Sequence, residues 1–324
     1  MSHSRRPQQC PAPSAPVKRP ATRCEQNRPG GELPLAVWAC AQRTSQWQRY
    51  HGYLPESNRH PAKMLPALAR QAIDAYSDPG DLVVDPMCGI GTTLVEAIHL
   101  DRRAVGVELE SRWATLAAAN VQHAYQHGAS GTGRVIHGDA RELAGLLDGE
   151  GYRPVDLILT SPPYACQVAD LAAENVKRAA GPLRREDTTN YSRDRANLGH
   201  ARGTGYLTAM SDVYRTCAAA LKPGGYMVIV TKDMRSGGAL RNLSGQTVAL
   251  CEELGLAYWQ RVIALHATLR DTRLQMRPSF WQTLHTRRAR AHGERTLVTA
   301  HEDVLVLRKP PASTASQVRA GRTT

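Results

Sequence analysis

The most specific chemistry in the 324-residue sequence lies in Thr160-Ser161-Pro162-Pro163-Tyr164, which follows a short apolar run from Val155 to Leu159. Two consecutive prolines fix the backbone and leave their carbonyls without a local donor, so the loop is stiff and rich in acceptors. A planar base brought to it can donate its exocyclic amino hydrogens to the Ser161 hydroxyl and the Pro162 carbonyl while the Tyr164 ring stacks on its face. The lone pair of an aromatic amine is delocalised into the ring, and hydrogen bonds that draw both hydrogens out of line help return it to nitrogen. Such an amine can attack a methyl donor directly, and alignment of nitrogen, methyl carbon and sulfur can supply about 7 to 11 kcal/mol. The step requires no metal. Ser161, Pro162, Pro163 and Tyr164 are therefore the candidate catalytic residues.

A second constellation precedes it. Asp85-Pro86-Met87-Cys88-Gly89-Ile90-Gly91-Thr92-Thr93 leaves a buried strand, turns on two glycines and enters a helix whose first N–H groups are free. No Lys-Ser/Thr follows as in a phosphate-cradling loop, and Leu94 stands where a dinucleotide fingerprint has its third glycine. Pyrophosphate is thus not the obvious guest. Asp85, ahead of the glycines, can instead accept hydrogen bonds from an ammonium group, which fits an amino-acid-like cofactor. Glu108, 19 residues after Gly89, ends the next strand, where a carboxylate can take both hydroxyls of a ribose. Asp139 follows the third strand, placed to accept from an exocyclic adenine amine.

The elements that must position these residues alternate. Leu65, Leu68, Ala69, Ala72, Ile73 and Tyr76 recur at helical spacing, and Pro79-Gly80 breaks the chain before a short buried strand, 81–85. Helix 92–99, strand 104–108, helix 110–127, strand 134–137, a short helix and strand 155–160 follow. A helix near 207–221 leads through the turn Lys222-Pro223-Gly224-Gly225 to strand 226–231, then come a helix near 247–254 and strands 257–265 and 304–307. The pattern predicts an α/β fold, a doubly wound, mostly parallel sheet of seven strands with its ligand at the strands' carboxyl ends.

Residues 1–45 are expected to be a basic, Pro-rich disordered tail, 46–310 the folded domain and 311–324 a second disordered tail. The stretches 165–206 and 267–300 interrupt the alternation and are expected to be functional insertions. Forty-one Lys+Arg against 29 Asp+Glu give +12, yet residues 60–160 alone carry −5, so the remainder holds +17. A polyanion at the periphery and a small cationic or zwitterionic ligand at the centre match that division. Seven cysteines without a Cys-x-x-Cys pair, and no apolar run of bilayer length, predict a soluble cytoplasmic protein with free thiols.

Taken together, these motifs resemble the S-adenosylmethionine-dependent DNA methylase N-4/N-6 family, whose members modify exocyclic amines. The resemblance covers roughly residues 45–310 and implies a class I, Rossmann-like methyltransferase fold. It implies Asp85, Met87, Cys88, Gly89, Gly91, Thr92, Thr93, Glu108 and Asp139 as cofactor residues. His60 and Lys63, in His60-Pro61-Ala62-Lys63-Met64, match the segment that closes over the cofactor's methionine end. In this family a serine such as Ser161 after Ser or Thr is typical of cytosine-N4 enzymes, whereas adenine-N6 enzymes usually carry Asp or Asn. The order here, with the glycine loop ahead of the catalytic motif, is shared with RNA guanine-N2 and protein glutamine methyltransferases, which carry Asp-Pro-Pro-Tyr or Asn-Pro-Pro-Tyr. The resemblance implies S-adenosyl-L-methionine as cofactor and DNA as partner, without a metal or a membrane, and leaves a restriction endonuclease open as a second partner.

Arginine forks and aromatic faces suit a DNA backbone and an extruded base. Arg184 and Arg185 in the first insertion, and Arg270, Arg273, Arg277, Phe280, Trp281, Arg287 and Arg288 in the second, are the expected substrate contacts. His123 and His127 share a helix face but lack a third ligand for zinc.

Overall fold

A computed structural model of the chain describes residues 33–50, 52–60, 63–163, 197–198, 204–236 and 239–312. The apolar runs become strands because each is flanked by turn residues and buried on both faces; Leu82-Val83-Val84-Asp85 is buried throughout. In chain order the first half contains β1 (Val37–Ala39), α1 (Ser45–Arg49), α2 (Pro66–Tyr76), β2 (Leu82–Asp85), α3 (Thr92–His99), β3 (Arg103–Glu108), α4 (Ser111–Gln126), β4 (Thr132–His137), α5 (Leu143–Gly149) and β5 (Val155–Thr160). The second half contains α6 (Thr204–Ala220), β6 (Leu221–Thr231), β7 (Met234–Ser236), β8 (Ala239–Arg241), α7 (Leu243–Glu253), β9 (Ala257–Leu265), β10 (Ala267–Arg270), β11 (Arg273–Met276), α8 (Phe280–Ala291) and β12 (His301–Arg308).

The central sheet runs β1-β9-β12-β6-β5-β2-β3-β4. Its strands are parallel except β12, which opposes both neighbours. Alternate side chains divide the core in two. Val83, Leu157 and Leu159 pack with α2, α3 and α4 on one face, while Leu82, Val84 and Ile158 pack with α5, α6 and α7 on the other. This is the doubly wound arrangement expected from the alternation, with the class I order of seven strands and an eighth, β1, added at the edge beside β9.

The extra strand corrects the tail boundary at 45. Val37 to Ala39 pair with Ile263 to Leu265, so the folded region begins before that point. Three residues beside a Pro-rich stretch carry too short an alternation to read as a strand. Lys222-Pro223-Gly224-Gly225, expected as a turn, lies within β6, and the β5–β6 register shifts between Val155 and Leu157 to accommodate it. The 267–300 stretch, expected as a polar insertion, forms the β10–β11 ribbon and α8.

The glycine loop can tuck against the sheet because β3 carries Gly106 opposite it. A Cβ there would lie 2.7 Å from both Cβ and Sγ of Cys88 and 2.8 Å from Leu94 Cδ1. Gly106→Ala is therefore expected to lower unfolding free energy by about 1 to 3 kcal/mol in urea titration. Gly145→Ala, at an exposed helical site with nothing within 4 Å, is expected to raise it by about 0.5 to 1 kcal/mol. Equal effects of the two would contradict the close packing at Gly106.

Candidate active site

Asp85 closes β2 and is 3% exposed. Its Oδ1 accepts from the Met87 backbone N–H at 3.1 Å, and its Oδ2 accepts from the Thr93 hydroxyl at 2.6 Å. Burial pushes its pKa up to about 6 against the opposing pull of the Thr93 hydroxyl, the Met87 N–H and, least, the Thr160 hydroxyl. That last group is buried beside it without a hydrogen bond of ordinary geometry. Immediately before Thr92 the chain turns into α3 through Gly91, whose φ of 81° suits glycine. Thr92 and Thr93 are buried in the first turn.

Glu108, one strand away, is tied to the same loop. Its Oε2 accepts from the Gly89 N–H at 2.8 Å and its Oε1 from the Glu110 N–H at 2.9 Å. Burial holds its pKa above the usual carboxylate range, and those two N–H groups offset part of the effect. His60 covers the loop: a Cβ on Gly89 would lie 3.4 Å from its Nε2, and its ring meets Trp113 edge-on at 4.6 Å between centroids. Lys63 donates to the carbonyls of His60 and Asn58, and burial lowers its pKa to about 8, with Arg49 adding to the effect.

Three expected residues sit differently from a simple pocket lining. Cys88 turns its side chain into the core against Gly106, so only its backbone follows the loop, and burial holds its thiol well above the ordinary pKa. Met87 is half-buried and packs toward the opposite face of the sheet. Asp139 caps a short turn by accepting from the Arg141 N–H at 2.9 Å, and both its oxygens receive the Arg141 guanidinium. Burial alone would raise the Asp139 pKa, but the Arg141 hydrogen bonds and charge bring it below the usual range.

Ser161, Pro162 and Pro163 follow β5 directly, Pro162 buried and its neighbours half-buried. Because β5 pairs with β2 through Leu157–Val83 and Ile158–Val84, the diproline corner leaves the sheet next to Asp85. Tyr164, Arg184 and Arg185 lie outside the described residues. Arg270, Arg273 and Arg287 are exposed, and Arg277 and Arg288 are half-buried. Phe280 and Trp281 open α8.

Sequence reasoning missed several neighbours. Glu110 accepts from Asn197 Nδ2 at 2.7 Å, bringing the far end of the first insertion to the β3 rim. Asn120, fully buried, accepts from the Leu54 N–H at 2.9 Å and donates to the Ile90 carbonyl at 2.8 Å, fastening the segment before α2 to the glycine loop. The spacing Glu108-Leu109-Glu110 hinted at the first; a lone polar residue within the apolar face of α4 was the signal for the second.

Two carboxylates at adjacent strand ends, flanking a glycine turn, fit a ligand that carries an ammonium group and a diol. A family model described as DNA methylase matches residues 5–119. Over that stretch, about a third of its length, the chain is similar to the DNA methylase N-4/N-6 family. Curated relatives include the tRNA (guanine(10)-N2)-dimethyltransferase of Methanocaldococcus jannaschii, 32% identical over 111 residues, which are 34% of this chain and 31% of that protein. Type II methyltransferase M.SmaI of Serratia marcescens is 42% identical over 67 residues, 21% of this chain and 23% of that one. DNA adenine methyltransferase YhdJ of Escherichia coli K12 is 33% identical over 82 residues, 25% of this chain and 26% of its own length. The chain thus spans about a third of the length of the tRNA enzymes it matches.

The cofactor of the N-4/N-6 methylases is S-adenosylmethionine, and the acids and the glycine turn here suit it. Among the described residues no three His, Cys, Asp or Glu side chains are grouped to hold a metal ion, and no helix is long and apolar enough to cross a membrane.

The Asp85 geometry has a measurable pH signature. Its folded pKa, about 6, lies above the usual value for an unfolded aspartate, so the native state binds the extra proton. The wild type is expected to lose up to about 3 kcal/mol relative to Asp85→Asn as pH rises from 4 to 7 in denaturant titrations. Parallel pH profiles would show that the carboxylate is not buried as described.

Proposed function

We propose that this chain transfers the methyl group of S-adenosylmethionine to the exocyclic amine of a base in DNA, cytosine N4 ahead of adenine N6. The observation that carries the reading is Ser161-Pro162-Pro163 at the end of β5, one strand from Asp85 and two from Glu108. When bound, the cofactor supplies an electrophilic methyl carbon. Asp85 accepts from its ammonium group, Glu108 from its ribose hydroxyls and Asp139 from its adenine amine, with Arg141 moving aside from that carboxylate. Met87, Gly89, Gly91, Thr92 and Thr93 shape the loop around it, and His60 excludes water from above.

The corner then acts on the acceptor. The Ser161 hydroxyl and the Pro162 carbonyl take the two amino hydrogens, which restores lone-pair density to nitrogen and aims it along the carbon–sulfur axis. Tyr164 stacks on the base. The methylated nitrogen is strongly acidic, so its proton passes to water and no buried base is needed. Serine at this position supports cytosine through the resemblance, because a serine after Ser or Thr is typical of the cytosine-N4 members of that family. The arginines of the second insertion supply the phosphate contacts.

A second reading, methylation of guanine N2 in RNA, is favoured by the length of the tRNA-enzyme alignments, 111 and 119 residues, against 67 and 82 for M.SmaI and YhdJ. Radiolabelled cofactor, supplied with genomic DNA and total tRNA and followed by nucleoside digestion, separates the two. Label is expected in N4-methyldeoxycytidine. Ser161→Ala is expected to keep cofactor affinity while losing turnover by about 100-fold or more. Label in tRNA alone would overturn the DNA reading, and label in neither would overturn methyl transfer to nucleic acid.

A further inference from the structure

The β10–β11 ribbon leaves the sheet at the edge that holds the diproline corner. β12 opposes both β6 and β9, so β9 runs in the same sense as β5, and its carboxyl end shares the edge with Thr160. Three strand spacings separate them, about 14 Å. The cross-strand pairs are Ala267–Met276, Thr268–Gln275, Leu269–Leu274 and Arg270–Arg273. Successive pairs take opposite faces, so Leu269, Leu274 and Met276 share one face, while Arg270, Arg273 and Gln275 share the other. The apolar face is open to solvent: Leu269 is 56%, Leu274 55% and Met276 42% exposed.

The base of the ribbon is anchored, with Ala267 and Thr268 buried and Gln42 bonded to the Thr268 hydroxyl and the Leu269 N–H, but its outer half is costly. Like charges directly opposite one another are destabilising, and paired exposed leucines gain nothing from solvent. A partner with negative charge and flat apolar surfaces relieves both costs. The surrounding stretch 267–300 selects for the same partner, with seven arginines against only Asp271 and Glu294. A two-stranded ribbon also has the width that the major groove of duplex DNA admits.

We propose that the β10–β11 ribbon is a duplex-opening wedge. Arg270 and Arg273 hold the DNA backbone, and Leu269 with Leu274 packs against the base stack beside the nucleotide delivered to Ser161. The inference rests on the DNA reading above and deepens it. An amine inside a duplex cannot reach the corner until its base leaves the stack, and inserted apolar side chains lower the cost of that step.

The test compares Leu269→Ser/Leu274→Ser with the wild type on one preparation of genomic DNA, used native and heat-denatured. Both side chains are more than half exposed, so the fold does not depend on them. The variant is expected to keep its rate on denatured DNA within about threefold and to lose about tenfold or more on native duplex, the equivalent of one weakened unstacking step. The single variant Leu274→Ser, which perturbs the ribbon less, is expected to shift the same ratio in the same direction. Equal loss on both substrates, or no loss on duplex, would overturn the wedge while leaving the transfer reaction standing. A wild type that labels neither form of DNA would overturn the transfer reading, and the wedge with it.

Discussion

The site depends on the register of β2 between two parallel neighbours. Val84 pairs with Ile158 on one side and with Val105 on the other, so Asp85, Glu108 and the Thr160–Ser161 corner all emerge at one edge of the sheet. A slip of one residue would turn Val83 and Val84 to the wrong faces and carry Asp85 away from Thr93. The two separate core faces forbid that slip, because each already claims alternate side chains of β2 and β5. Packing far from the chemistry thereby sets the distance between the carboxylates and the diproline corner.

Burying two carboxylates side by side is unfavourable unless their oxygens are occupied. The glycine loop meets that requirement with its own backbone, through Met87 and Gly89 N–H groups, and with Thr93. The loop is held in turn by a polar framework beneath it. Tyr53 donates to Glu96 at 2.9 Å, and Arg70 pairs with the second oxygen of the same carboxylate at 2.9 Å, so α3 is fixed to the segment that precedes α2. Asn120 adds a second fastening. His60 owes its position over the loop to these bonds as well as to its contact with Trp113.

Much of this was legible from residue order because it is local. Short apolar runs after Pro79-Gly80 and Gly224-Gly225 marked β2 and β6, prolines on both sides marked β5, and the glycine turn marked the start of α3 at Thr92, where it stands. What escaped notice depends on distant partners. β1 has only three residues and becomes a strand through β9, more than two hundred residues later. The ribbon at 267–276 alternates leucine with arginine and glutamine, which reads as polar chain until the cross-strand register is known. The Asp139–Arg141 pairing is two residues apart, yet its geometry could not be inferred, since a carboxylate after a strand serves equally as a turn cap or a ligand contact.

The central claim is that the corner at Ser161 faces a methyl donor held between Gly89 and Glu108. The most direct measurement is a crystal structure of the full chain with S-adenosylhomocysteine. The account predicts the ribose hydroxyls on Glu108 and the sulfur within about 8 Å of the Pro162 carbonyl oxygen, close enough for an amine bound there to reach a methyl carbon on sulfur. A ligand bound elsewhere, or a sulfur separated from the corner by intervening side chains, would contradict it.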